Sequence, residues 1–578
     1  MGAVRFSLAD AVPVVGQLRG YSRRALGGDA VAGVVVWATL VPQGLAYGQV
    51  AGLAPAAGLY TVLGAALVFS LVTSTRFVVV GPSSTLGVMT FDAVQGPAGG
   101  DPARAAALAG CLAVMVGLLC VASPLLRMQR ISDLLSGPVM LGYLAGAGVV
   151  IFAGQLGVLL GVPAQGDGAL PKIWYVITHL GQAHLLTAVV GLGAVVSIVL
   201  LKHYVRRVPA SLLVLVAGVI ASAVLGLADL GVSVVGAVTG GLPAPAIPAV
   251  TGSDIGALMP AATGIALIAI VETVAAIRKT ADPGADRLSL GRESAALGAA
   301  SVASGVLGGF APMGSASRSL SARGASAHSQ LFQVGSVAFV VLVLILGGPI
   351  FAVLPLAVLA ATLIALSVPR LVDVPGFLRL WQGWRAEGVL ALATMVAVVA
   401  FGVLQGVVVA VLLAAGQMLR RAARPHDAVL AVTNPDEPPR EVDEDALPRS
   451  GVLIYRVDAP LFFANIGRVA DRIRALAADC GPDLRYLILD AEAVFYLDAT
   501  AAETMAELTA DLRRRGCELL LARARGPVLA TLKANPYQDA ATGELRAFPS
   551  VRQAYAYAQE KLNLRREGGE TDAEQSAG

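Results

Sequence analysis

Apolar runs of membrane-spanning length recur through the first 420 residues and then stop. Val31–Leu40, Leu186–Leu201, Leu212–Leu227 and Val337–Leu346 lie in such stretches, and about 20 apolar residues cross the hydrocarbon core of a bilayer. Charged residues make up 14% of the 578-residue chain, and mean hydropathy is +0.73. Soluble domains carry roughly 25% charged residues. Most of the chain therefore reads as an α-helical polytopic membrane protein. The start, "MGAVRFSLADAVPVVGQLRG", holds Asp10 and a central proline with no unbroken apolar stretch, so no cleavable signal peptide is expected.

Composition also narrows the function. Cys111, Cys120, Cys480 and Cys517 show no Cys-x-x-Cys spacing, and the five histidines are scattered. No disulfide framework, metal site or cofactor is expected. The net charge of +3 gives no case for nucleic-acid binding. No nucleophile–base pair or phosphate loop stands out, which argues against an enzyme.

Hydrophobicity ends near Arg420, and we divide the chain accordingly. Residues 1–424 form a transmembrane domain, and the polar, Pro-rich, acidic stretch 425–450 is a linker. In 451–564, "GVLIYRVD", "LRYLILDAEAV" and "CELLLARA" read as strands. "IGRVADRIRALAADC" and "TAAETMAELTADLRRRG" read as amphipathic helices. This alternation predicts an α/β domain with a helix-covered sheet. The tail 565–578 is expected to be disordered.

The transmembrane domain divides into 14 segments. They are 30–48, 52–71, 83–95, 103–122, 136–160, 185–201, 208–228, 255–276, 292–308, 315–328, 329–347, 350–366, 386–402 and 405–420. With the amino terminus inside, inner connections carry Arg19/Arg23/Arg24, Arg76, Arg127/Arg130, Lys202/Arg206/Arg207, Arg278/Lys279/Arg287, Arg370/Arg379/Arg385 and Arg420/Arg421/Arg424. Outer ones hold only Arg104 and Lys172. The positive-inside rule thus places both termini, and the soluble domain, in the cytoplasm.

Two short segments share a pattern. "RFVVVGPSSTLGVMTF" has an extended β-branched piece, then Gly81-Pro82 and the hydroxyls of Ser83, Ser84 and Thr85. "GGFAPMGSASRSL" has Phe310-Ala311-Pro312, then Gly314 and Ser315, Ser317 and Ser319. Each reads as a short strand leading into a half-helix with a small, polar first turn. They are the third and tenth segments, so an odd spacing of seven inverts the second copy. Paired interrupted segments point to a transporter's midplane site. The first turn of a helix leaves N–H groups unpaired and carries about half a positive charge, which suits an anion. Arg318 adds a full charge, and a charge in a span should face a cavity or a ligand. The competing reading is a packing surface of small residues.

The sequence resembles the SulP family of anion transporters. The resemblance rests on "DAVAGVVVWATLVPQGLAYGQVAGLAPAAGLY" (Asp29–Tyr60), "TSTRFVVVGPSST" (Thr73–Thr85), "GRESAALGAASVASGVLGGFAPMGSASRSL" (Gly291–Leu320) and a tail similar to a STAS domain. It implies 14 spans in a 7+7 inverted repeat, a core moving against a gate, and a homodimer in the plasma (inner) membrane. By the same resemblance the anion lies near Ser84, Thr85, Ser315, Ala316, Ser317 and Arg318, with Gln43 and Tyr47 from the first span. Pro42 and Gly44 are expected to break that span. Gln43 and Tyr47, four apart, share one helix face; a packing Gln and an interfacial Tyr are the plainer alternative.

Glu272, in "IALIAIVETVAAIRK", is the only acidic residue deep within the expected spans. Desolvation favours the neutral form of a carboxylate, so Glu272 is a candidate proton-coupling residue. A stabilising pair with Arg318 is the alternative. Sodium-coupled relatives tend to carry a hydroxyl one turn after this carboxylate; here that position is Ala276. In the STAS domain, Ala499 follows Asp498 where related proteins have a phosphorylatable Ser, and Thr500 reads as a helix cap.

The leading expectation is a secondary transporter of a small anion, of the sulfate, bicarbonate or dicarboxylate class, coupled to H+. A sodium–bicarbonate symporter is the runner-up. A membrane anion sensor signalling through its STAS domain is a third reading, from a different class.

Overall fold

The computed structural model describes residues 21–125, 136–163, 166, 168–205, 209–236, 241–280, 289–432, 439–442, 451–533 and 546–576. Arg19, Arg127, Arg130, Arg206, Arg207 and Arg287 lie outside the described residues. So do 433–438 and 443–450 of the expected linker and 577–578 of the expected tail. The chain forms two compact units, Met1–Ala414 and Ala415–Gly578.

Fourteen helices match the 14 expected segments in order. They are α1 (Arg23–Val50), α2 (Pro55–Val72), α3 (Ser84–Ala98), α4 (Pro102–Ala122), α5 (Gly137–Leu160), α6 (Leu185–Tyr204), α7 (Ala210–Leu225), α8 (Gly252–Thr280), α9 (Leu290–Val306), α10 (Ala316–Gly324), α11 (Leu331–Leu346), α12 (Leu356–Leu366), α13 (Arg385–Phe401) and α14 (Val403–Ala422). Six of them, α1, α2, α4, α5, α6 and α8, are long and apolar enough to cross a bilayer. By contrast α3 and α10 have 15 and 9 residues. At 1.5 Å per residue they reach roughly 22 and 14 Å, well short of a crossing. They are half-helices, one in each set of seven.

One expectation about α1 fails. The helix runs without a break from Arg23 to Val50 with Pro42 inside it. Proline removes a single N–H from the ladder, and packing neighbours let membrane helices tolerate that loss.

Small residues set close helix contacts. Where α4 crosses α9, a Cβ on Gly117 would sit 2.6 Å from the carbonyl oxygen of Gly298, and one on Gly298 would sit 2.5 Å from that of Gly117. Ser301 adds a hydrogen bond to the Ala113 carbonyl at 2.8 Å. Lipid tails are as apolar as the helices, so close backbone approach and polar links hold such a pair together.

The second unit contains the expected α/β domain. Its six-stranded sheet has β3 (Asp427–Ala431), β4 (Arg440–Val442), β5 (Val452–Val457), β6 (Tyr486–Asp490), β7 (Glu518–Ala522) and β8 (Arg546–Phe548) in the order β4-β3-β5-β6-β7-β8. The last four are parallel, with β3 antiparallel to β5 and β4 antiparallel to β3. Helices α15 (Ile466–Asp479) and α16 (Ala499–Arg514) cover one face, and α17 (Val551–Ser576) covers the other.

Three local expectations change. The sheet starts at Asp427, inside the stretch read as linker, because "DAVLA" buries Val429 and Leu430 despite its polar surroundings. Helix α17 continues to Ser576 through most of the tail expected to be disordered. It packs through Val551, Ala554 and Ala558, and Leu562 and Leu564 to Glu567 are good helix formers, while nothing in the sequence favours its continuation through Gly568 and Gly569. The cap of α16 is Asp498 rather than Thr500: its Oδ1 accepts from the Ala501 amide at 2.8 Å.

Candidate anion-binding site

Two extended pieces meet in the middle of the first unit. β1 (Val80–Gly81) and β2 (Met313–Gly314) pair antiparallel, Val80 opposite Gly314 and Gly81 opposite Met313. The Ser315 amide extends the ladder by donating to the Val79 carbonyl at 2.9 Å. The Val79 amide donates to Ser319 Oγ at 2.9 Å, and that hydroxyl donates to the Ser315 carbonyl at 2.7 Å. Each strand feeds a half-helix through a serine cap. Ser83 Oγ accepts from the Leu86 amide at 3.2 Å, and Ser315 Oγ accepts from the Arg318 amide at 3.4 Å. Antiparallel strands send α3 and α10 off in opposite directions, so their amino termini converge on the crossing.

Arg318 fills that crossing. It is 5% exposed, and its Nη1 donates to the Pro82 carbonyl at 3.0 Å and to Gln43 Oε1 at 3.3 Å. Gln43, also 5% exposed, is thereby brought from α1 to the start of both half-helices. Ser84 and Thr85 are buried in the first turn of α3. Ser315 and Ala316 are half-buried and Ser317 is exposed. Tyr47 is buried one turn beyond Gln43, but its hydroxyl meets Ser367 Oγ at 3.2 Å, just past α12.

Glu272 lies half-buried on α8. Among the described residues it makes no hydrogen bond or ion pair, so the expected alternative of a pair with Arg318 is not formed. Lys279 and Tyr143 are its electrostatic neighbours.

Several residues that sequence reasoning did not single out hold the crossing in place. Glu293, 1% exposed, accepts from the Thr73 hydroxyl at 2.5 Å and the Ser74 amide at 2.9 Å. Gln330 Nε2 donates to the carbonyls of Thr75 and Val78 at 3.1 and 3.0 Å. Asp29, 2% exposed, accepts from the amides of His328 and Ser329 at 2.6 and 3.2 Å. That turn, with Ser326 at φ +66°, ends α10 before the expected residue 328. Their signal was available: a polar residue within or beside an apolar span needs a partner.

The arrangement offers two helix starts, hydroxyls and one guanidinium to a negatively charged solute. A model of the sulfate permease family matches residues 26–394. The chain belongs to that family. A STAS domain model matches residues 445–554 of this family member. The permease is 34% identical over 529 residues to a probable sulfate transporter of Mycobacterium tuberculosis, covering 91% of this chain and 94% of that relative. Its fold is similar to murine Slc26a9, an anion transporter solved in the inward-facing state. That match has a TM-score of 0.84 at 20% identity, over 97% and 96% of the two chains. The transmembrane domain of the cyanobacterial bicarbonate transporter BicA matches with a TM-score of 0.58 at 22% identity, over 68% of this chain and 98% of that one. The permease is accordingly a membrane transporter of a small anion and not an enzyme.

Proposed function

We propose that the protein is a secondary active transporter that holds its anion between the amino termini of α3 and α10 and moves it by alternating access. The observation that carries this reading is the β1–β2 pairing, which joins two serine-capped helix starts beside the buried guanidinium of Arg318. Ser84, Thr85, Ser315, Ala316 and Ser317 supply backbone donors and hydroxyls, and Gln43 orients the arginine. Tyr47 reaches from the same helix to Ser367, which links the site to the far end of α12. Sulfate is the first anion to test, because the Mycobacterium relative is named for it.

Coupling is assigned to Glu272, with H+ as the ion and Na+ as the alternative. Ala276 offers sodium no hydroxyl one turn later. Both termini are placed in the cytoplasm of a plasma (inner) membrane, with the transporter working as a homodimer. Two contacts support a shared basic face: Lys202 donates to the Ala365 carbonyl at 3.2 Å, and Arg323 to the Thr280 carbonyl at 3.0 Å. Cations at helix carboxyl ends also complement the helix dipole.

The deciding experiment is counterflow of labelled sulfate, bicarbonate and fumarate in proteoliposomes, with and without an imposed pH or sodium gradient. Flux of at least one anion is expected. Binding without flux in any condition would convert the reading to an anion sensor.

A further inference from the structure

Two threonines clamp the extended segment that leads into α10. At its start, Thr61 Oγ1 on α2 accepts from the Phe310 amide at 2.9 Å and donates to the Ala57 carbonyl at 3.0 Å. At its end, Thr273 Oγ1 on α8 accepts from the Gly314 amide at 2.8 Å and donates to the Ala269 carbonyl at 2.6 Å. Threonine in a helix often bonds back to the residue four earlier, as Thr280 and Thr362 do here. Thr61 and Thr273 use their remaining acceptor capacity to hold a second piece of backbone.

The two clamps differ in what their helices carry. Thr273 directly follows Glu272, whereas Thr61 has no ionisable group beside it except Tyr60. Gly314 is also the residue opposite Val80 in the strand pair and precedes the cap of α10. It lies so close to α8 that a Cβ there would sit 2.9 Å from Thr273 Cα. No side chain buffers the contact, and interiors packed this closely transmit displacement.

We propose that Thr273 is a positioning residue that transmits the state of Glu272 to the anion site through Gly314. This rests on the reading that Glu272 carries the coupling ion and that the anion sits at the starts of α3 and α10. Lys279 on α8 acts on Glu272 electrostatically, and the charge of Glu272 in turn reaches Tyr143 on α5. The helices packed against α8 also carry Asp92, Arg104, Arg292, Glu293, Arg318 and Arg323. Arg104 pairs with Asp254, Glu293 holds Thr73, and Arg323 caps Thr280. Asp92 is engaged by the Val403 amide. Arg318 stands at the other end of the proposed link, three residues after the α10 cap.

The test uses full-length protein in proteoliposomes, the anion that the wild type carries, and whichever gradient, pH or sodium, drives its accumulation. Thr273→Val keeps shape and removes the hydroxyl; Thr273→Ser keeps the hydroxyl; Thr61→Val breaks the other clamp. We expect T273V to retain anion exchange within about twofold of the wild-type maximal rate, with KM raised several-fold. Gradient-driven accumulation should be lost in T273V, restored in T273S and kept in T61V. Wild-type accumulation by T273V overturns the proposal, and so does equal loss of accumulation in T61V, which would make both clamps merely structural. If T273V cannot be purified folded, Thr273→Cys serves: weakened coupling supports the link and full coupling overturns it. A wild type that exchanges anion but answers neither gradient overturns the coupling reading itself, and a wild type with no exchange overturns the transport reading.

Discussion

Gln43 and Arg318 stand 275 residues apart in sequence, yet Nη1 of Arg318 donates to Gln43 Oε1 at 3.3 Å. The contact joins the first span to the start of the tenth, where the strands cross. A buried guanidinium held this way presents its charge without having to reorganise when an anion arrives. Hydrogen bonds to charged groups are worth roughly 1.5–3 kcal/mol, so Arg318→Ala should weaken anion binding about tenfold to a hundredfold. Equilibrium binding of labelled anion to the purified, folded variant checks this. Undiminished affinity would remove Arg318 from the site.

A second expectation concerns the packing that holds the site's scaffold. Gly298→Ala would put a Cβ 2.5 Å from a backbone oxygen of Gly117, and backbone cannot swing aside as a flexible side chain does. Overpacking of this kind costs roughly 1–3 kcal/mol. Thermal unfolding of the detergent-purified variant should show a lowered midpoint. An unchanged midpoint would mean that α4 and α9 separate at little cost.

How much of this was legible in the sequence depended on the kind of signal. The long spans were legible because apolar length is a one-dimensional property, and α1, α2, α4, α5, α6 and α8 fall where the runs lie. Half-helices α3 and α10 were legible because each couples an extended Pro-containing piece to a small hydroxylated turn, as in Gly81–Thr85 and Met313–Ser319. Partner identity was not. Thr61, Thr273, Glu293 and Gln330 stand out only as polar residues within or beside apolar spans, and nothing local says that Thr273 meets Gly314. The Pro42 reading failed because a helix buried among neighbours tolerates a proline that would end an isolated one. The strand at Asp427–Ala431 was hidden by the acidic, proline-rich sequence around it.

The carboxyl-terminal unit makes a separable prediction. Cutting the chain after Arg424 should leave a membrane unit that inserts, since α1 to α14 all lie upstream. Asn465 Nδ2 donates to the Ala422 carbonyl at 3.1 Å, satisfying one of the carbonyls that the end of α14 leaves unpaired. The truncated protein should therefore transport more slowly, and Asn465→Ala in the full chain should reproduce part of that loss. Proteoliposome flux per folded protein measures both. Full-rate flux from the truncated protein would make the STAS domain a passenger in transport.

The coupling assignment to Glu272 is tested by charge. Uptake of an anion against an inside-negative potential is opposed by about 2.3 kcal/mol per elementary charge per 100 mV, and one co-transported proton cancels that penalty for a monoanion. A proton carrier must therefore bind and release its proton once per cycle. Glu272→Gln mimics the protonated side chain and cannot release the proton. Because Glu272 makes no hydrogen bond or ion pair among the described residues, the change breaks none there. The variant should still bind anion and exchange anion for anion, but lose accumulation driven by a pH gradient. Counterflow and gradient-driven uptake, measured on the same proteoliposomes, separate the two activities. If wild-type uptake instead ignores the pH gradient and rises with external sodium, Glu272 is a sodium ligand. The Gln variant should then lose the sodium response while its exchange persists.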